Sequence, residues 1–361
     1  MFYHLLLPLQ EYFSFLRLFQ YISFRSAYAA LTALLLVLVF GGIVIRWLQS
    51  LRFREEIREL GPQSHKAKAG TPTMGGILII GSVLISISLW GNFKNYYLII
   101  MILVTIGLAL LGFVDDYIKS IKKNKGGVPA KIKFLVQNGI ALAAALAIYF
   151  NPSNPAEVST IYVPFFNAPL IDIGFLWVIF AVIVITGSSN AVNLTDGLDG
   201  LAIGTVISVG VSLGLMAYLT GNAKIAAYLK VPYIAASAEL TVFIAALVGA
   251  SLGFLWFNSN PASVFMGDTG ALSLGGIVGL VAVMIKKEIF LFIVGGVFVA
   301  EALSVIIQVL SYKLRKKRVF KMAPIHHHFE LSGLPEQKVV VRMWLIGIIL
   351  AILGLSSLKI L

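Results

Sequence analysis

Residues 95–116 read NYYLIIMILVTIGLALLGFVDD. The run carries no charge until two aspartates, Asp115 and Asp116, close it. About 20 consecutive apolar residues is the length of a helix that crosses a bilayer. Working outward, similar runs recur at roughly 24–45, 73–90, 132–150, 171–188, 199–219, 237–257, 269–285, 289–311 and 342–360, which makes ten spans with 95–114. Met1–Tyr21 reads as an interfacial segment. The 361-residue chain is 59% hydrophobic and 12% charged, where a soluble domain carries about 25% charged residues. It has no cysteine, which excludes disulfide frameworks and Cys-ligated zinc or iron–sulfur sites. The expected fold is all-α: a polytopic integral membrane protein with about ten transmembrane helices, forming a single transmembrane domain over 1–361. The opening residues do not read as a cleavable signal, because the first long apolar run follows charges and continues to bilayer length.

The net charge of +12 has a topological reading that needs no nucleic-acid partner. Loops 46–72, 115–133, 186–198, 258–268 and 311–342 carry 6, 6, 0, 0 and 8 Lys+Arg, or 20 of the chain's 28. The positive-inside rule puts this set in the cytoplasm, and ten spans then leave both termini periplasmic. On the other face, the Pro/Asn-rich stretch 151–169 holds Ser159-Thr-Ile-Tyr-Val, a possible short hairpin. Glycines four residues apart, as at Gly210/Gly214, Gly249/Gly253 and Gly275/Gly279, signal close helix packing in lipid.

Five acids lie on the same face as the basic loops: Asp115 and Asp116 end the third span, Asp196 and Asp199 begin the sixth, and Asp268 begins the eighth. A carboxylate at the edge of an apolar span is costly unless paired, solvated or bound to metal. Ordinary loop charge explains the lysines after Asp116, including Lys119, Lys131 and Lys133. It does not explain two acids at a helix C-terminus, where the macrodipole opposes them. In Asn190-Ala-Val-Asn193-Leu-Thr-Asp196-Gly-Leu-Asp199-Gly, a helix would put Asn193, Asp196 and Asp199 on one face. Their hard oxygens suit Mg²⁺ bridged to phosphate; a polar cap to the next span would need one acid only. In the lysine-free loop from Asn258 to Asp268, Phe265 is open to two readings, stacking on a base or anchoring at the interface. His326-His327-His328 suits phosphate donation or proton transfer, with zinc or a solvated loop as the alternatives. Segment 65–76 brings Lys68 and Thr73 to the same face, and no Gly-Lys pair exists to make a nucleotide phosphate loop. Together these groups fit a divalent cation and a phosphate-rich substrate whose apolar part arrives from the bilayer. A secondary transporter is the rival of another class. It would place ionisable groups near the midplane and show repeats, and only Glu301 suits it.

Five segments resemble the phospho-N-acetylmuramoyl-pentapeptide transferase family of the polyprenyl-phosphate N-acetylhexosamine-1-phosphate transferase superfamily. They are Gly70-Thr-Pro-Thr-Met-Gly-Gly, Phe113-Val-Asp-Asp, Asn190 to Gly200, Val264-Phe-Met-Gly-Asp-Thr-Gly and Pro324-Ile-His-His-His-Phe-Glu. The resemblance implies transfer of phospho-N-acetylmuramoyl-pentapeptide from its UDP conjugate to undecaprenyl phosphate with release of UMP. It also implies Mg²⁺, a homodimer and a bacterial inner-membrane location with the site facing the cytoplasm. A transferase for another UDP-N-acetylhexosamine is the nearest competitor. By resemblance Asp115, Asp116 and Asp268 are catalytic, with Asp115 as the base and Asp268 associated with the metal. Asn193, Asp196, Asn258 and Phe265 lie on the nucleoside side. Lys68, Thr73, Asp199, Gln308, His326, His327 and His328 line the same cleft, and Lys119 and Lys131 meet phosphate. Direct attack without a phospho-enzyme is the expected course.

Overall fold

The computed structural model describes residues 1–51, 70–120, 126–166 and 169–359. Its helices are α1 (Phe2–Leu6), α2 (Ile22–Ser50), α3 (Gly76–Trp90), α4 (Tyr96–Ser120), α5 (Ala130–Phe150), α6 (Leu176–Thr195), α7 (Leu201–Thr220), α8 (Ala223–Leu229), α9 (Ser237–Asn258), α10 (Gly267–Met284), α11 (Glu288–Val294), α12 (Gly296–Arg315), α13 (Ile325–Glu330) and α14 (Glu336–Ser356). Among the described residues nine helices are long and apolar enough to cross a membrane, and the shorter apolar α3 stands beside them. The all-α, multi-pass expectation holds.

α10 is the axis of the bundle, packed by α4, α6, α3 and α7. In its apolar window 89% of residues are buried, against 22% in α12, whose outer face is left for lipid. The paired glycines do the packing expected of them. Gly249 and Gly253 lie on α2, Gly275 and Gly279 on α6, and Gly210 and Gly214 on Val248 and Ile244 of α9. Helices can approach this closely only where side chains are small.

Four boundaries depart from the sequence reading. The span expected at 73–90 begins its helix at Gly76, because Pro72 to Gly76 pairs instead with residues 265 and 266. The span expected at 171–188 begins its helix at Leu176. Its first residues form β2 (Ile171–Asp172), antiparallel to β1 (Thr160–Ile161), so the short hairpin exists and reaches further than Ser159–Val163. The Asp172 carboxylate accepts from Gly174 N at 2.9 Å, and Gly174 takes φ +53 to turn the chain into α6. The single span expected at 289–311 is two helices, α11 and α12, separated at Gly295. Adjacent glycines hold helix poorly, yet leave apolarity unchanged. Finally, α6 stops at Thr195, so Asn193, Asp196 and Asp199 do not share a helical face.

At the end of the bundle marked by Trp90, Arg25 of α2 meets Glu239 of α9 in a two-pronged pair, with Nη1–Oε2 at 2.7 Å and Nη2–Oε1 at 2.5 Å. Arg25 also donates to Trp90 O, and Glu239 accepts from Asn92 N. The N-terminal amine donates to Ser88 O nearby, so the chain starts at this end.

Candidate active site

The other end of the bundle gathers the acids. Asp115 and Asp116 lie in the last turns of α4, and Asp268 lies in the first turn of α10. Gly112 lets the two helices meet, because a Cβ there would strike the Asp268 backbone. Each of the three carboxylates offers an oxygen within 4.8 Å of the others.

The three acids have different tasks. Asp116 is buried, and both its oxygens are committed to α10. Oδ1 accepts from Asp268 N at 3.0 Å, while Oδ2 accepts from Thr269 N at 2.9 Å and from the Thr269 hydroxyl at 2.7 Å. It caps the neighbouring helix. This resolves the dipole problem, for the acid stands at the unfavourable end of α4 but at the favourable N-terminus of α10. Asp115 accepts from Val128 N through Oδ1 at 2.7 Å and meets Lys119 Nζ at 2.5 Å and Lys133 Nζ at 3.3 Å through Oδ2. Asp268 Oδ2 meets Lys119 at 3.0 Å and also Lys133, and Oδ1 accepts from Asn193 Nδ2 at 3.2 Å. Asp115 and Asp268 thus share two ammonium groups, and the third carboxylate, Asp116, leaves the cluster with a formal excess of negative charge. The donor set fits a hard divalent cation, since it is carboxylate oxygen throughout.

Two devices, one of main-chain and one of side-chain hydrogen bonds, hold the loop before Asp268 in place. Phe265 N donates to Pro72 O, Gly75 N to Phe265 O and Gly76 N to Met266 O, all at 2.8–2.9 Å. The segment Thr71 to Gly76 is therefore clasped to the loop before α10. Thr73 is buried against Gly267, and the Phe265 ring remains partly exposed. The second device is a polar seam along the same loop. Asp199 Oδ2 accepts from Asn260 Nδ2 and Ala262 N, both at 3.1 Å. Asn258 accepts from Gly200 N and donates to Val264 O. Asp199 and Asn258 are both buried and shape the loop; the half-buried Asp196 ends α6.

The histidines lie on α13, not in a loop. His326 is fully buried, with Nδ1 3.0 Å from Glu301 Oε2 of α12 and Nε2 against Gly197. Glu301, the residue that suited a transporter, is thus spent on a contact between α12 and α13. His327 pairs with Glu330 at 2.9 Å, and His328 Nδ1 accepts from Lys321 N. Gln308 bonds Val319 N, Phe320 N and Phe320 O, tying the basic turn after α12 back to that helix. Lys68 lies outside the described residues.

Lys131 is exposed, whereas Lys133 reaches two of the three acids. Residues two apart on a helix point about 200° from each other, so only one of these lysines can face the cluster. The buried face of α5 runs through Gln137, Ala141, Ala144, Ala145 and Ile148. Lys133 continues it one turn back, a signal present in the sequence. Gln137 bonds Ser189 and Asn190, and Ser189 donates to Leu272 O, which fixes α5 and α6 to α10 beneath the acids.

Comparison with known proteins agrees with this geometry. The family model described as Glycosyl transferase family 4 matches residues 98–286, which contain all three acids, and a phospho-N-acetylmuramoyl-pentapeptide-transferase signature matches residues 68–80. The phospho-N-acetylmuramoyl-pentapeptide-transferase of Leptospira biflexa is 52% identical over 358 residues, covering 96% of each chain. Proteins of the same name from Thermodesulfovibrio yellowstonii and Citrifermentans bemidjiense are 51% and 50% identical, each over 99% of both chains. A multi-pass helical enzyme whose matched segments converge on one carboxylate cluster, this chain belongs to the phospho-N-acetylmuramoyl-pentapeptide-transferase family.

Proposed function

We propose that the chain transfers phospho-N-acetylmuramoyl-pentapeptide from its UDP conjugate to undecaprenyl phosphate, releasing UMP, at the cytoplasmic face of a bacterial inner membrane. The observation that carries the reading is the cluster of Asp115, Asp116 and Asp268 with Lys119 and Lys133 at the ends of apolar helices. A lipid phosphate reaches this level from the bilayer and a sugar nucleotide reaches it from water. The Lys+Arg bias supports the cytoplasmic orientation. The resemblance alone supports a homodimer.

In this reading an oxygen of the lipid phosphate attacks the phosphorus that bears the sugar. A new P–O bond forms, the diphosphate P–O bond on the uridine side breaks, and its electron pair leaves with UMP. Phosphoryl transfer of this kind depends on placement and charge neutralisation. Mg²⁺, when bound through Asp268 and Asp115, would supply positive charge to the diphosphate. Lys119 and Lys133 offset charge on the transferring group from the protein side. Asp115 takes any proton remaining on the attacking phosphate. Asp116 acts from behind by setting the first turn of α10. The partly exposed Phe265 ring is available to the uracil, and the family resemblance puts Asn193 and Asp196 on the same nucleoside side.

The test is an assay of purified protein with undecaprenyl phosphate, Mg²⁺ and a panel of UDP-sugars, scored for UMP release. Turnover with the N-acetylmuramoyl-pentapeptide conjugate alone is expected; turnover restricted to another UDP-N-acetylhexosamine would overturn the substrate assignment. Trapping a radiolabelled phospho-enzyme at Asp268 would replace direct attack with two steps.

A further inference from the structure

α10 has 18 residues and so spans about 27 Å. Beyond its far end, opposite the carboxylate cluster, lies a half-open cleft of about 40 Å³. It is bounded by the turn after β1, the turn after α8, the start of α11 and the last turn after α14. Phe165, Phe166, Leu229 and Phe290 supply apolar walls, and Lys230 and Lys287 supply the charge.

The two lysines are unlike their neighbour. Lys286 is fully matched: its ammonium donates to Val158 O and Glu288 Oε1, both at 3.1 Å, and lies 4.4 Å from the centre of the Trp177 ring. Among the described residues neither Lys230 nor Lys287 has a hydrogen-bonded side chain or an ion pair. Lys287 has the Tyr162 ring at 5.7 Å, and burial pushes its ammonium down to about 8. The nearby Glu157 is turned away, accepting from the Tyr162 hydroxyl and lining a separate cavity with Lys286. Lys230 ends α8 at φ +54, a conformation Gly or Asn adopts with less strain. Lys230 is exposed at the mouth of the cleft, whereas Lys287 is half-buried with the Glu288 carboxylate as an opposite charge beyond hydrogen-bond reach; burying its ammonium is costly, and an anion in the cleft would relieve that cost.

The level of the cleft and its walls narrow the anion's chemistry. It opens where α7, α11 and α14 leave their apolar stretches, the depth of lipid headgroups. Phe166 is 71% exposed beside it, a surface suited to an acyl chain.

We propose that the cleft between Lys230 and Lys287 binds the phosphate of an anionic lipid in the leaflet opposite the carboxylate cluster. The ligand chemistry is a phosphate mono- or diester anion carrying an apolar tail. Nothing in this site depends on which sugar nucleotide the enzyme uses.

Native mass spectrometry tests it on the full-length protein released from nanodiscs of phosphatidylglycerol or phosphatidylcholine. Wild type should retain roughly thirtyfold more phosphatidylglycerol than phosphatidylcholine, at about 1 kcal/mol for each of the two lysines near a membrane surface. The double variant Lys230→Gln/Lys287→Gln should lose that preference. Lys230→Arg/Lys287→Arg and the control Lys224→Gln, on the exposed face of α8, should keep it. Undiminished preference in the Gln double variant overturns the proposal. A second arm measures protection of Lys287 from acylation in neutral detergent. Protection by inorganic phosphate equal to that by phosphatidylglycerol would make the ligand a free anion and overturn the lipid assignment. UMP release should be unchanged in the Gln double variant, which also reports correct folding and separates this site from the transferase reading.

Discussion

Two of the buried charge clusters, one at each end of the bundle, are built differently. Arg25 and Glu239 form a matched pair: one cation, one anion, two parallel hydrogen bonds, and further main-chain partners in Trp90 and Asn92. Asp115, Asp116 and Asp268 with Lys119 and Lys133 are mismatched in number and come from three helices, α4, α5 and α10. The first arrangement balances its charge, although Arg25 Nε is buried without a hydrogen-bond partner among the described residues, and it holds α2 against α9. The second has three acids for two lysines; both lysines pair with Asp115 and Asp268 while α10 holds Asp116, so one formal negative charge is left for a cation to answer. Burial of charge alone is therefore a poor guide to function, and the count of charges left over is a better one.

Substitution can break this contrast. Asp268→Asn should lower turnover by about 10³-fold or more with little change in Tm, since it removes charge where the cluster has excess; UMP release and a thermal melt together check this. Arg25→Ala should do the reverse. Leaving Glu239 buried and unpaired is expected to cost about 3–5 kcal/mol of stability, read as a large fall in Tm, with the surviving folded fraction turning over within about twofold of wild type. Lys133→Gln should reduce turnover by about 10²-fold, while Lys131→Gln changes it less than about twofold. Asp116→Asn sharpens the comparison from within the cluster. An amide keeps one acceptor oxygen and loses the second, so both Tm and turnover should fall, by about 1–2 kcal/mol and about tenfold. A clean kinetic defect without loss of stability would show that Asp116 acts on substrate directly. Removing divalent cations with a chelator should abolish turnover reversibly and leave the Arg25–Glu239 end unaffected, as judged by an unchanged melt.

Much of this was legible in the chain. The spans announced themselves by length, and Asp115, Asp116 and Asp268 stood out because acids at the ends of apolar helices need a reason. What stayed hidden depended on direction. The charge content of residues 115–133 does not say which lysine turns inward, and only the buried face of α5 separates Lys133 from Lys131. The i, i+3 spacing of Asn193, Asp196 and Asp199 presumes a helix that ends at Thr195, so Asp199 turns to the 258–266 loop and not to the cluster. The break between α11 and α12 leaves no mark on hydropathy, because Gly295 and Gly296 are as tolerable to an apolar run as alanine. Glu301 carried a visible oddity, a carboxylate within an apolar span, but its partner His326 is 25 residues away and on another helix.

The clasp between residues 72–76 and 265–266 uses amides and carbonyls only. It needs glycine at 75 and 76, where a Cβ would strike Phe265 O and the Gly270 backbone, but it makes no use of the Phe265 side chain. The partly exposed Phe265 can consequently drift under selection from whatever occupies the cleft, whereas Thr73 is buried against Gly267. An inhibitor that leans on the Phe265 ring would meet resistance at little structural penalty to the host, whereas one that reads the peptide groups of the clasp would leave the organism few viable escapes.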